Sequence, residues 1–319
     1  MTLRLVFLGT PAFSTPCLQA LLDAPDMTVA GVVTQPDRPA GRGQQLMPSP
    51  VKIMAQAAGL PVLQPKSLRK DADVLNWIRS QSPDFFVTIA FGQILSQETL
   101  EIPRLGVVNV HASLLPAYRG ANPIQRAVMA GDPVTGLTTM LTDAGVDTGA
   151  MLRRAETVIG PEETAQEVHD RLSSMAGPLL LDTLRGVADG SISPVPQNHE
   201  QATHAPKCDK ADAAIDWSLS AQTLHNRIRG LQPWPGAVTT FNGQSVKILK
   251  TRLPQAEEFV PNWLGMAPGA IVGVSGRTVW IATGEGPLGI ALIQPAGKKA
   301  TPADDWARGA LTKPAAGFS

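Results

Sequence analysis

The sequence predicts an α/β fold, a Rossmann-like open and mostly parallel sheet, followed by a small OB-like β-barrel domain. Three observations predict it. Short apolar, β-branched runs alternate with helical stretches through the first half of the chain, the pattern of βαβ units. An aperiodic stretch with several prolines then interrupts the chain at 190–208. Beyond it come five short strand candidates separated by Gly-rich turns, which suit a small barrel. At 319 residues the chain has room for two domains. The expected division is a first, Rossmann-like domain over 1–189, a linker over 190–208 and a second, OB-like domain over 209–319.

The elements follow in order. LRLVFL (3–8) is a buried first strand, and a helix follows near 14–23. TVAGVVT (28–34) is a strand by its β-branched content. After a Pro/Gly-rich loop, VKIMAQAAG (51–59) has helical composition and PVL (61–63) suits a short strand. DADVLNWIRS (71–80) reads as a helix, and DFFVTIA (84–90) and GVVNVH (106–111) as strands. Asn122-Pro123 supplies an N-cap and first helical residue for a helix to about Gly131. GLTTMLTDA and AMLRRAETVI flank GVDTG as a hairpin. Residues 161–186 form a long helix with Glu162 and Glu163 in its dipole-favourable first turn. Past the linker, AIDWSLSAQTLHNRIRGL contains one helix, and strands are expected at 237–241, 244–252, 269–274, 278–282 and 287–293.

Composition excludes several classes. A hydrophobic content of 43% against 17% charged residues describes a globular chain with a real core. No apolar run approaches the roughly 18–20 residues of a membrane span, and MTLRLVFLGTPAF is too short an apolar run for a signal peptide. Cys17 and Cys208 are too far apart to suggest a disulfide framework or a zinc site. A cytoplasmic protein without a metal is expected. The net charge of zero is unevenly spread, with 12 Lys/Arg against 8 Asp/Glu over 206–319. Residues 34–70 carry Arg38, Arg42, Lys52, Lys66, Arg69 and Lys70 against Asp37 alone. Such a run suits either a solvated face or a polyanion partner.

The chemistry concentrates in GVVNVHASLLPAYRG (106–120). Ligands of open α/β sheets bind outside the carboxyl ends of the strands. Asn109 and His111 lie two apart near such an end and project to the same side. Downstream, TDAGVDTG (142–149) supplies Asp143 and Asp147. An amide can stabilise an oxyanion and an imidazole–carboxylate pair can manage protons, while no residue of the set is an evident nucleophile. The same residues also suit a plain strand-end hydrogen-bonding pair and an Asx turn. FLGTPAF (7–13) lacks the spacing of a dinucleotide fingerprint, and His111 with Asp147 falls short of a zinc ligand set.

Together these stretches resemble the folate-dependent formyltransferase family, over essentially the whole chain and in two tiers. The first tier, NVHASLLPAYRGANPIQ with the Asp of TDAGVDTG, is shared by the family at large. It implies Asn109, His111 and Asp147 as the catalytic set. It also implies a folate site built from Ser113, Leu114, Leu115 and Pro116 together with Phe91, Gly92, Gln93, Ile94 and Leu95. The second tier is similar to the members that act on tRNA. TQPDRPAGRGQQLMPSPVK (34–52) resembles their insertion loop, and DWSLSA, PWPGA and QPAGKKA resemble their C-terminal domain. The implied partner is the acceptor arm of initiator Met-tRNA, met by Arg38, Arg42, Lys52, Lys298 and Lys299. Many members carry a basic pair where this chain has Gln44-Gln45, so weaker phosphate contacts are expected there.

The resemblance implies transfer of the formyl group of 10-formyltetrahydrofolate, a co-substrate, to the α-amino group of methionine on initiator Met-tRNA. Direct attack through a tetrahedral intermediate fits the missing nucleophile. It further implies a monomer. A family member acting on an amino-sugar nucleotide, a formate-releasing hydrolase and a non-catalytic RNA-binding protein are the competing readings.

Overall fold

A computed structural model describes residues 2–40, 45–255, 262–310 and 317–319. In chain order the first elements are β1 Leu3–Gly9, α1 Thr15–Asp23, β2 Met27–Val33, β3 Arg38–Ala40, β4 Gln45–Met47, α2 Pro50–Ala57, β5 Val62–Leu63 and α3 Ala72–Ser80. Next come β6 Phe85–Ile89, α4 Gln97–Leu100, β7 Val107–His111, β8 Arg119–Gly120, α5 Pro123–Ala130, β9 Val134–Leu141, β10 Met151–Val158, α6 Ala165–Ala188 and β11 His204–Ala205. The last are α7 Ala221–Gly230, β12 Ala237–Phe241, β13 Gln244–Arg252, β14 Ile271–Ser275, β15 Thr278–Ala282, β16 Pro287–Pro295, β17 Thr301–Pro302 and α8 Ala303–Ala310.

These elements form two compact units. The first comprises Met1–Gly120, Thr135–Thr157 and His169–Ala205, the second Ala121–Val134, Val158–Val168 and Pro206–Ser319.

A seven-stranded sheet in the order β10-β9-β7-β6-β1-β2-β5 organises the first unit. β1 lies between β2 and β6, parallel to both. Its residues are buried except half-buried Arg4, as continuous apolar runs require when both faces of a parallel sheet are covered. The chain leaves β1 on one side through β2 and β5 and resumes on the other through β6 and β7, which makes a topological switch at β1/β6. β6 and β7 pair in parallel with Thr88 opposite Asn109. β9 then runs antiparallel to β7, setting Thr138 opposite His111. The helices begin where local chemistry starts them. The Ser49 hydroxyl accepts from the Lys52 amide at the head of α2, and Asp71 accepts from the Val74 amide at the head of α3.

The expected linker is not a free connection. Met151 and Val195 exchange two backbone hydrogen bonds of 2.8 Å, β11 pairs with β8, and Gln197 is 5% exposed. Aperiodic, Pro-containing sequence reads as a tether, but here its residues as far as Ala205 belong to the first unit and are held by these contacts, whereas 206–208 belong to the second. The helix expected at 161–186 is α6, Ala165–Ala188.

The second unit carries the five expected strands as an antiparallel sheet in the order β12-β13-β16-β15-β14, with β17 added on β16. α5 packs on α7, where Gly131 and Gly230 have no room for a Cβ beside Asn226 and Met129. That packing is why α5, placed by sequence within 1–189, belongs to the second unit. The core gathers Trp217, Leu224, Ile228, Ile248, Ile281 and Ile290. Phe318 closes it, with its ring 5.2 Å from Phe241 and 5.6 Å from Trp306. Among the described residues no helix is long and apolar enough to cross a membrane.

Both thiols are buried. Burial pushes Cys17 up to about 12 and also raises Cys208. A thiol reagent at pH 8 should therefore leave both residues unmodified in the native protein and label both in denaturant. Rapid native labelling of Cys17 would contradict the packing of α1.

Candidate active site at the end of β7

The polar groups of the first unit collect where β6 and β7 end. Parallel register brings Thr88 beside Asn109, and the Thr88 hydroxyl donates to Asn109 Oδ1 at 3.0 Å. That bond turns the amide so that Nδ2 and its two hydrogens are left for a ligand, since among the described residues nothing accepts from them. Asn109 itself is half-buried, whereas its neighbours Val108 and Val110 are core residues.

His111 is 7% exposed. Its Nε2 lies 2.9 Å from the Tyr118 carbonyl oxygen. A carbonyl only accepts, so Nε2 carries a hydrogen and Nδ1 is the nitrogen that gains or loses a proton. Nδ1 faces Asp147 Oδ2 at 3.6 Å. The same carboxylate oxygen accepts from the Gly120 amide at 2.9 Å. Asp147 sits at φ 53°, a left-handed conformation that Asp tolerates better than most side chains. Asp143 does not join it, because its carboxylate accepts from the Gly145 amide and the Thr148 hydroxyl to build the turn.

The Ser113–Pro116 turn is pinned from β9. Thr138 Oγ1 donates to the Ser113 carbonyl at 2.7 Å and accepts from the Leu115 amide at 3.0 Å. The Leu115 carbonyl accepts from Arg154. Ser113 and Leu115 are fully buried, and Leu114 and Pro116 are half-buried. The Ser113 hydroxyl donates to the Ala117 carbonyl at 2.6 Å, so it is not an activated nucleophile.

The 91–95 stretch divides by burial. Phe91 and Leu95 are core residues, whereas Gly92 and Ile94 are exposed. Gln93 spends its side chain on backbone, accepting from the Leu68 amide and donating to the Pro65 carbonyl. A ligand would therefore meet Gly92 and Ile94, with Gln93 holding the neighbouring loop.

Of the basic residues, Arg38 is exposed and donates to Gln35 Oε1. Lys298 and Lys299 are exposed in the turn after β16. Lys52 does not present a free charge, because its ammonium lies 2.6 Å from Asp37. The Lys52 and Gln64 side chains hold the Asp37 carboxyl below the usual carboxylate range. Arg42 and Gln44 lie outside the described residues. A recess of about 570 Å³ lined by Arg79, Asp84, Glu98 and Arg104 lies at the opposite, amino end of β6 and has no share in this chemistry.

Residues 3–184 match the model of the formyl transferase family, and residues 207–311 match the model of its C-terminal domain. The chain belongs to the formyl transferase family. This formyltransferase is 46% identical over 313 residues to the methionyl-tRNA formyltransferase of Synechococcus sp. (strain JA-2-3B'a(2-13)), covering 98% of this chain and 97% of the relative. It is 47% identical over 307 residues to that of Solibacter usitatus (strain Ellin6076), covering 96% of each. Two solved structures share the fold at 16% identity. One is the N-formyltransferase from Helicobacter canadensis in complex with folinic acid and dTDP-3-aminofucose, at a TM-score of 0.64 over 92% of this chain and 100% of that one. The other is HypX from Aquifex aeolicus in complex with tetrahydrofolic acid, at 0.60 over 98% of this chain and 48% of that one.

Sequence reading missed Thr88, Arg119 and Gln197. Thr88 had a faint signal, a lone hydroxyl in the apolar run of DFFVTIA. Gln197 had none, since its partners lie about 50 and 80 residues away.

The geometry has a spectroscopic consequence. Neutral His111 should be the Nε2–H tautomer, so long-range ¹H–¹⁵N correlation should give Nδ1 the shift of an unprotonated ring nitrogen. An Nδ1–H tautomer would contradict the Tyr118 contact.

Proposed function

We propose that this chain transfers the formyl group of 10-formyltetrahydrofolate to the α-amino group of methionine on initiator Met-tRNA. The observation that carries the reading is one strand end where an oriented amide donor, an imidazole and a carboxylate meet without a nucleophile. It lies in a chain that matches methionyl-tRNA formyltransferases over nearly its whole length. The half-buried Asn109 amide, with two hydrogens unclaimed among the described residues, fits a formyl oxygen. The Ser113–Pro116 turn and the exposed Gly92 and Ile94 supply walls for a flat folate.

The roles follow from the contacts. A free α-amino group titrates at about 7.7–8.0, and esterification to tRNA lowers that, so a neutral amine is available to attack. Asn109 Nδ2 stabilises the formyl oxygen as it gains charge, an effect worth about 10²–10³ in rate per donor. His111 presents Nδ1, because Nε2 is committed to Tyr118. Asp147 faces Nδ1 and receives the proton that the attacking nitrogen sheds, a contribution of roughly 10²–10⁴. One C–N bond forms to methionine and the C–N10 bond breaks. The His111–Asp147 pair returns the proton to N10, which balances the reaction without an external acid.

On the nucleic-acid side, Arg38, Arg42, Lys298 and Lys299 contact acceptor-arm phosphates, while Lys52 holds the root of the 34–52 loop through Asp37. The enzyme acts as a monomer in the cytoplasm.

Folate-dependent formyl incorporation into Met-tRNA is the direct test. Incorporation into an amino-sugar nucleotide instead, or formate release without an acceptor, would overturn the assignment. Asn109→Ala, His111→Ala and Asp147→Asn should each lower kcat by about 10²-fold or more, with folding intact by circular dichroism. Near-normal turnover in any of them removes that residue's role. Arg42→Ala should raise the KM for Met-tRNA and reduce the salt dependence of binding by about one phosphate contact, leaving folate binding unchanged. Equal weakening of both substrates would contradict a tRNA role for Arg42.

A further inference from the structure

The short stretch Tyr118–Gly120 reaches both members of the acid–base pair. The Tyr118 carbonyl holds His111 Nε2, and the Gly120 amide holds Asp147 Oδ2. Between them, the Arg119 side chain turns the other way and is 6% exposed. Its Nε and Nη2 donate to Gln197 Oε1 at 3.1 and 2.7 Å, and Nη2 also lies 3.2 Å from His199 Nδ1. Gln197 then spends its other end completely. Its Nε2 donates to the carbonyls of Asp147 at 2.9 Å and Gly149 at 2.8 Å. The contacts close a ring from Asp147 carboxylate through Gly120, Arg119 and Gln197 back to the Asp147 carbonyl.

Resting on the reading of Asp147 as a catalytic group, we infer that Gln197, oriented by Arg119, is a positioning residue that sets the Asp147 carboxylate against His111 Nδ1. The turn needs such a device. Asp147 adopts a left-handed backbone that only its surroundings can hold. Gly149 is fixed by a close approach, since a Cβ there would lie 1.7 Å from the Leu141 carbonyl oxygen. Between these two residues the backbone is pinned on one side by β9 and on the other by Gln197. Arg119 makes the amide's orientation unambiguous, because a guanidinium can only donate. With the Gln197 oxygen thus committed, both Nε2 hydrogens must point at the turn. Neither side chain reaches the reacting atoms through any contact the structure shows, so both act through Asp147.

Gln197→Met keeps length and volume but removes both donors and the acceptor. Its kcat for Met-tRNA formylation should fall about 10- to 100-fold, the scale of a catalytic group displaced by an ångström. The KM for each substrate should stay within about twofold. The decisive comparison repeats the substitution in an Asp147→Ala background, where it should change kcat by less than about twofold because the group it positions is gone. An unchanged kcat in the parent background, or an equal loss in both backgrounds, overturns the proposal, the latter indicating general scaffolding. The Asp147→Ala variant alone tests the parent reading, since full activity there removes Asp147 from catalysis whatever Gln197 does. If Gln197→Met fails to fold, Gln197→Glu serves in the same cycle. It keeps the Arg119 contact and replaces the two donors by an acceptor, and the same outcomes decide.

Discussion

A parallel sheet covered on both faces has no place for polar side chains along its length, and that constraint organises the first unit. In β1 and β6 nearly every residue is buried and apolar. Polar groups are confined to the strand ends, where they can reach one another before the chain turns away. Thr88 lies one residue before the end of β6, and Asn109 and His111 are the last two polar residues of β7. These ends adjoin β1/β6, where the strand order reverses, the position at which open α/β sheets bind ligands. The site therefore arises where the sheet can tolerate polarity.

His111, Asp147 and Gln197 are then each given one orientation by a partner that cannot exchange roles. Backbone carbonyls only accept and backbone amides only donate, so Tyr118 decides which nitrogen of His111 is protonated and Gly120 decides which way Asp147 points. Arg119 does the same for Gln197. This economy suits a reaction in which the protein forms no covalent bond. The groups must meet developing charge and a moving proton in fixed positions, and rotational freedom in any of them would be lost rate.

The left-handed Asp147 illustrates a compromise between backbone and chemistry. Glycine would occupy that conformation more easily, but the carboxylate facing His111 is what the turn presents. The cost is met by hydrogen bonds from two directions, the Gly120 amide to the side chain and Gln197 to the backbone. A segment that reads as a tether in sequence thus becomes structural, and the same segment pairs with β8 through β11.

Much of this was legible in the residues alone. The alternation of apolar runs and helical stretches marked the parallel sheet, and the Gly-rich spacing marked five later strands. Asn109 and His111 stood out because polar residues at the end of a Val-rich strand ask for a reason, and Asp147 because its loop matched a family motif. Local periodicity and local capping carry such information, since they depend on neighbours within a few residues. The tertiary structure decided what depends on distant partners. It set the amide orientation of Asn109 through Thr88, the tautomer of His111 through Tyr118 and the pairing of Lys52 with Asp37. It also moved α5 to the second unit and folded 191–205 against the first. A sequence states which groups a strand end carries, but only the packed chain brings up the donor or acceptor that decides how each one points.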